Sequence, residues 1–212
     1  MSNKSGNEGK IILDLCGGTG EWNRPFWGAG YDVRLITLPT LDVTQWRTNG
    51  ILDVINTGRV YGILAAPPCT MFSHVRTVAK EPRDVKEAMK VVTACLEIIW
   101  ECQYNVKTGE KKTKLKFWAL ENPQNGILHH FLGRPAFSFN PYEFGDMYKK
   151  KTALWGHFNE PIKTNLKPFE GVKFDRLKTK EISPDQYGKL SRTERRAITP
   201  AGFAQAFYEA NK

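Results

Sequence analysis

The chain has no apolar run approaching the roughly 20 residues that cross a bilayer, and its polar start, Met1 to Lys10, lacks the apolar core of a signal peptide. Both absences point to a cytoplasmic protein. Cysteine is scarce: Cys16, Cys69, Cys95 and Cys102 fall in no paired metal-ligand spacing, and a chain of 212 residues needs no disulfide staples. Reduced thiols and no metal site are expected. Internal repeats and low-complexity tracts are also missing, which excludes repeat architectures. Acids are outnumbered, 22 against 31 lysines and arginines, for a formal charge of +9. What remains, 41% hydrophobic and 25% charged, is the composition of one globular domain.

The positive excess is concentrated. Between Met147 and Arg196 thirteen lysines and arginines stand against six acids, a distribution that suits a polyanionic partner and equally a plain solvated basic face.

After a lead-in over residues 1–9 that is expected to be disordered, the apolar pattern alternates strand and helix. Ile11 to Leu15 reads as a short strand, Glu21 to Ala29 as a helix and Asp32 to Leu38 as a second strand. A helix is expected over Asp42 to Ile55, then a buried strand from Val60 to Ala65 that Pro67-Pro68 ends. Val85, Ala88, Met89, Val92, Cys95, Leu96 and Ile99 recur at three- and four-residue steps, which predicts an amphipathic helix over Arg83 to Gln103. Val106 to Lys116 reads as a solvated loop or hairpin. Phe117 to Glu121, Phe137 to Phe139 and Thr152 to Trp155 read as strands, and Thr199 to Ala210 as a closing helix. His157 to Tyr187 is polar, basic and nearly aperiodic. Strands separated by helices imply an α/β domain with a parallel sheet, whose ligands bind at the carboxyl ends of the strands.

Three segments carry chemistry. Asp14-Leu15-Cys16-Gly17-Gly18-Thr19-Gly20 joins a strand to a helix through a turn that lets backbone approach a nucleoside-containing ligand. It lacks the spaced glycines of dinucleotide folds and the Gly-Lys-Ser/Thr of phosphate loops. Asp14 is free to order this turn, cap it or hold a ligand amine. No acid ends the second strand, so either Asp42 or a backbone contact must serve a ribose. Cys69, directly after Pro67-Pro68 and before Thr70-Met71-Phe72-Ser73, lies outside the regular strand, where a thiolate is reachable. Basic neighbours are expected to lower its pKa, whereas Cys16, Cys95 and Cys102 suit packing. Glu121 ends an apolar strand at the same sheet edge. Desolvation is expected to raise its pKa, so that it donates to a ring nitrogen of cytosine as the thiolate adds to the ring.

Taken in order, these segments resemble the DNA cytosine-5 methyltransferases, particularly the short forms of bacterial viruses. Asp14 to Gly20 is similar to the family's S-adenosylmethionine loop and Leu41-Asp42-Val43 to its acidic cofactor segment. Pro67-Pro68-Cys69 with Phe72-Ser73 is similar to the nucleophile loop, Glu121-Asn122 to the acid motif, and Thr199-Pro200-Ala201-Gly202-Phe203-Ala204 to the last motif. The resemblance implies a Rossmann-like S-adenosylmethionine-dependent methyltransferase fold, a mostly parallel sheet with helices on both faces. A catalytic core over 10–156 would be followed by a basic, reduced target-recognition segment over 157–196 and, over 197–212, a helix returning to the core. It implies catalysis by Cys69, Glu121, Asn122 and Pro68, and S-adenosylmethionine held by Asp14, Cys16, Gly17, Gly18, Thr19, Gly20, Asp42, Pro67 and Thr199. DNA would be gripped by Ser73, Lys149, Lys150, Lys151, Arg192, Arg195 and Arg196, with methylation protecting viral DNA from host nucleases or marking it.

Three departures shape the expectation. Pro123 follows Glu121-Asn122 where the family usually has valine. Tyr148-Lys149-Lys150-Lys151-Thr152 stands for a Gln-x-Arg-x-Arg pattern, and lysine keeps the charge but not the two-pronged geometry. Only about His157 to Arg196 is left for a recognition domain, which implies a short or relaxed target sequence. A free cytidine nucleotide or RNA as substrate, and a silent DNA-binding protein on the same fold, are the alternatives.

Overall fold

The computed structural model describes residues 6–74, 79–104, 115–172, 190 and 192–212. Residues 1–5 of the expected lead-in, most of the expected loop over Val106 to Lys116 and 173–189 of the basic segment lie outside them, as does the side chain of Arg192.

Six strands form one sheet: β1 (Ile11–Leu15), β2 (Asp32–Ile36), β3 (Val60–Ala65), β4 (Phe117–Pro123), β5 (Phe137–Phe139) and β6 (Thr152–His157), in the order β2-β1-β3-β4-β6-β5. The first four are parallel, because helix-containing crossovers return the chain to the same end each time. β6 is antiparallel to both β4 and β5. The link from β5 to β6 holds only a 3₁₀ turn, Pro141–Phe144, so the chain reverses instead of crossing over. The sheet is therefore mostly parallel, as expected, with β6 as its antiparallel member.

Alternation along the strands builds two cores. Ile11, Leu13 and Leu15 of β1, with Ile63, Ala65 and Leu120, face helices α2 (Ile51–Asn56) and α3 (Val85–Gln103). Ile12, Leu64, Ala119 and Leu154 face the other way, toward α1 (Arg24–Gly28) and α6 (Ala201–Asn211). Helices thus cover both faces, and the α/β architecture is compatible with a Rossmann-like fold. Two short helices, α4 (His129–Leu132) and α5 (Arg192–Ala197), lie in the connections. No helix among the described residues is long and apolar enough to cross a membrane.

Two expected helices change shape. Asp42 to Ile55 splits into a 3₁₀ turn, Val43–Gln45, and α2, because Gly50 between them takes φ +89°, outside the right-handed helix. Glu21 to Ala29 shortens to α1, which opens with Pro25 in its first turn, where a missing N–H costs nothing. Residues 160–166 are not a free tail. Thr164 N donates to Glu143 O at 2.8 Å and Lys163 Nζ to Ser138 O at 2.8 Å, so the segment folds back against β5.

α6 docks through aromatic packing: Phe203 lies 3.9 Å from Phe139 between ring centroids, nearly parallel, and Trp22 meets both Phe203 and Phe207. Gly202 makes this approach possible, since a Cβ there would fall 2.0 Å from the backbone oxygen of Phe144. Gly202→Ala is expected to cost about 3 kcal/mol, read as a lower urea midpoint at unchanged slope. Gly28→Ala, where nothing lies within 4 Å, is the matched control and should not destabilise.

Candidate active site

The carboxyl ends of β1, β3 and β4 lie side by side, and the antiparallel β6 brings its amino end to the same edge, pairing Thr152 with Pro123 and Leu154 with Glu121. This reversal delivers Lys149, Lys150 and Lys151, which precede β6, to the end of the strand that carries the acid.

At the end of β3, Pro67 and Pro68 hold the chain extended before the turn at Cys69, whose carbonyl accepts from Phe72 N at 3.0 Å and Ser73 N at 2.9 Å. The Cys69 thiol is half-buried. Burial raises its pKa, and the Glu121 carboxylate raises it further, while Lys150 and Arg196 pull it down. The net direction is upward, against the lowering expected from basic neighbours, because desolvation outweighs the two cations. Glu121, with its side chain 17% exposed, stands 3.7 Å from Lys150 Nζ. Cys69, Glu121, Lys150 and Arg196 therefore share one electrostatic cluster.

Asn122 is fully buried, and its Nδ2 donates to Pro67 O at 3.0 Å, pinning β4 to the proline loop. Its Oδ1 is buried and accepts nothing. Such an orphan costs about 1–3 kcal/mol and marks a place where a ligand donor is due. Arg83, read only as the start of α3, makes the loop's main clamp: its Nη1 and Nη2 donate to the carbonyls of Met71, at 2.6 Å, and Ser73, at 2.8 Å. Asp84 caps α3 by accepting from Glu87 N, so Arg83 lies outside the helix and is free to turn back. The acid three residues ahead of Glu87 was the available signal. Ser73 itself is buried, in a β-bridge with Gly126.

At the end of β1, Asp14 is fully buried on the α1 and α6 face. Asn23 Nδ2 donates to its Oδ2 at 2.6 Å, and its Oδ1 accepts nothing. Burial, partly offset by the Asn23 bond, pushes its pKa up to about 7. The carboxylate occupies the space a Cβ on Gly17 would need, only 2.2 Å away, so the loop closes over Asp14 only with glycine there. Gly18, Gly20 and Cys16 all take positive φ around Thr19. Cys16 points to the opposite face, where its hydrogen bond to Cys95, together with burial, pushes the Cys95 thiol well up.

The remaining expected residues are spread along the same rim. Asp42 caps the 3₁₀ turn, its Oδ1 taken by Thr44 N at 2.9 Å and Thr44 Oγ1 at 2.8 Å. Thr199 is half-buried just ahead of α6, whose Phe203 packs on Trp22, two residues past Gly20. Lys151 is exposed, and its carbonyl accepts from Gln124 N at 3.0 Å. Lys149 and Arg195 are half-buried, with Arg195 in the last turn of α5, the short helix that Arg192 opens. Among the described residues no group of three His, Cys, Asp or Glu side chains could hold a metal ion.

A buried acid under a glycine turn and a thiol beside a carboxylate–lysine pair therefore stand at the carboxyl ends of neighbouring strands of one sheet. Compared with models of protein families and with curated protein sequences, the chain matches none.

Proposed function

We propose that this protein is an S-adenosylmethionine-dependent DNA methyltransferase acting on C5 of cytosine through a covalent bond to Cys69. The observation that carries the reading is the cluster of Cys69, Glu121, Lys150 and Arg196 at one strand edge, beside the Asp14 loop.

The β1 edge suits the cofactor. Asp14 Oδ1 is a buried acceptor with no donor among the described residues, the charge of a carboxylate suits a cationic ligand, and the loop backbone is open over Gly18. S-adenosylmethionine supplies, when bound, a methyl group for an electron-rich carbon.

Cys69 makes that carbon electron-rich. Its thiol is held protonated near neutral pH, so attack needs an acceptor, and the Glu121 carboxylate beside it takes the proton. Sγ then bonds to C6 of the ring, the C5–C6 π pair shifts toward C5, and Glu121 passes its proton to N3. Lys150 stays 3.7 Å from Glu121 and steadies the carboxylate between these transfers. Asn122 Oδ1 accepts from the exocyclic amine, which tells cytosine from thymine or uracil, whose C4 carries an oxygen instead. After substitution, loss of the C5 proton to water restores the double bond and returns the Sγ–C6 pair to Cys69, while N3 gives its proton back through Glu121. In a duplex the base must leave the stack first, at a cost of a few kcal/mol that pocket contacts offset.

The test offers methyl-labelled S-adenosylmethionine with duplex DNA, RNA and free deoxycytidine monophosphate in parallel. Label on C5 of cytosine in DNA is expected. Label confined to the monomer or RNA transfers the chemistry to that substrate. No label on any cytosine, with no adduct to 5-fluorocytosine in DNA, overturns the enzyme reading in favour of a binding protein.

A further inference from the structure

A second cavity, of about 680 Å³, opens beside the edge strand β5, within the range of small-molecule sites. Gln124, Arg134, Phe137, Glu160, Lys163 and Leu166 contribute to its walls. None of these residues belongs to the cluster around Cys69.

Its chemistry is mixed in a specific way. Lys163 Nζ is fixed by Ser138 O at 2.8 Å and Glu143 Oε1 at 3.2 Å, and lies 5.0 Å from the centroid of the Phe137 ring. That sets a fixed cation over one face of the Phe137 ring. Leu166, 79% exposed, and the exposed Glu160 border the same space. Arg134 is exposed and makes no hydrogen bond or ion pair among the described residues, so its fork is available to an anion. Gln124 is held by its backbone to Lys151, yet its side-chain oxygen is buried and accepts nothing.

A ligand that satisfies all of these has a flat ring to pack against Phe137, an anionic group for Arg134 and N–H donors for Gln124 and Glu160. We propose that this cavity binds a nucleotide. Gln124 follows Glu121 by three residues of extended chain, about 10 Å, so the nucleotide is one that neighbours the target cytosine on the same strand. Placement beside the target rests on the DNA methyltransferase reading, whereas the nucleotide chemistry does not. Glu160, Lys163 and Leu166 belong to the segment expected to read the target, so the cavity would give that segment a base contact.

The experiment uses the full chain with S-adenosylmethionine and single-stranded oligodeoxynucleotides carrying 5-iododeoxyuridine next to a 5-fluorocytosine. Irradiation is expected to link the iodinated base to Phe137, located by peptide mass spectrometry, while the Cys69 adduct is read in the same sample. Arg134→Ala, a change at an exposed side chain, should weaken oligonucleotide binding about 10-fold and remove the Phe137 link without preventing the Cys69 adduct at saturating oligonucleotide. Deoxynucleoside monophosphates distinguish the source. Failure to displace the link assigns the site to a nucleotide within a strand, and saturable displacement assigns it to a free nucleotide, either of which upholds the nucleotide chemistry. A Cys69 adduct with no link at Phe137 from any oligonucleotide overturns this proposal alone, and a Phe137 link without the adduct overturns only the methyltransferase reading.

Discussion

Cys69→Ala is expected to lower methyl transfer by about 10⁴-fold or more, because no other group at the edge can form the bond to C6. The fold should survive. The turn is held by the Cys69 carbonyl and by Arg83 on Met71 and Ser73, none of which needs the thiol. Unfolding midpoints of variant and parent should therefore agree closely, which separates a chemical defect from a structural one. Glu121→Gln keeps the volume and removes the proton carrier, so a smaller loss, about 10²–10⁴-fold, is expected. The two losses should not add, since both act on one step. Because burial and Glu121 hold the thiol above its ordinary pKa, the parent's rate should climb with pH through the alkaline range. In Glu121→Gln that climb should start at lower pH, as one cause of the raised pKa is gone. Undiminished transfer by Cys69→Ala, measured with labelled donor on the DNA substrate, would sink the covalent mechanism.

The parts legible in the sequence were those that depend on local periodicity. β1, β3 and β5 begin and end at the residues their apolar patterns indicate, β1 and β3 as buried runs opened by Lys10 and Arg59. The gathering of the glycine turn, Cys69 and Glu121 at one edge was legible too, through the rule that parallel strands point their carboxyl ends the same way. Direction of β6 was not, since strand polarity is decided by the connection and its short 3₁₀ turn leaves no hydrophobic signature. Nor was the ion pair of Lys150 with Glu121, because three adjacent lysines look alike in the apolar pattern. Asn23 acts through one side-chain hydrogen bond and Arg83 through two, and neither leaves a trace in periodicity. The cavity beside β5 arises from a return of residues 160–166 that reads as featureless chain.

Asp14→Asn is expected to stabilise the protein at pH 8 and to leave it nearly unchanged at pH 4.5. A carboxyl whose pKa is 3.8 in the unfolded chain and about 7 in the fold binds a proton more tightly when folded. Its contribution is fully present below the unfolded value and is lost as pH rises through the folded one, so stability declines between about pH 4 and pH 7 and then levels. The full decline is about 4 kcal/mol, the free energy of a shift of that size. Asparagine retains an acceptor for Asn23 Nδ2 and carries no charge to desolvate, so it should flatten the decline. Urea unfolding of parent and variant at the two pH values checks this, and an unchanged slope in Asp14→Asn would show that another group titrates. A residue this costly at neutral pH persists in a fold when a ligand offsets it. A cationic ligand at Asp14 Oδ1 meets the ionised form, so S-adenosylmethionine should bind more tightly as pH rises through 7, releasing a proton below that point. Calorimetry in two buffers of different ionisation enthalpy reads that proton directly. Its absence, alongside a flattened stability curve in Asp14→Asn, would leave Asp14 as a structural acid and remove it from the cofactor site.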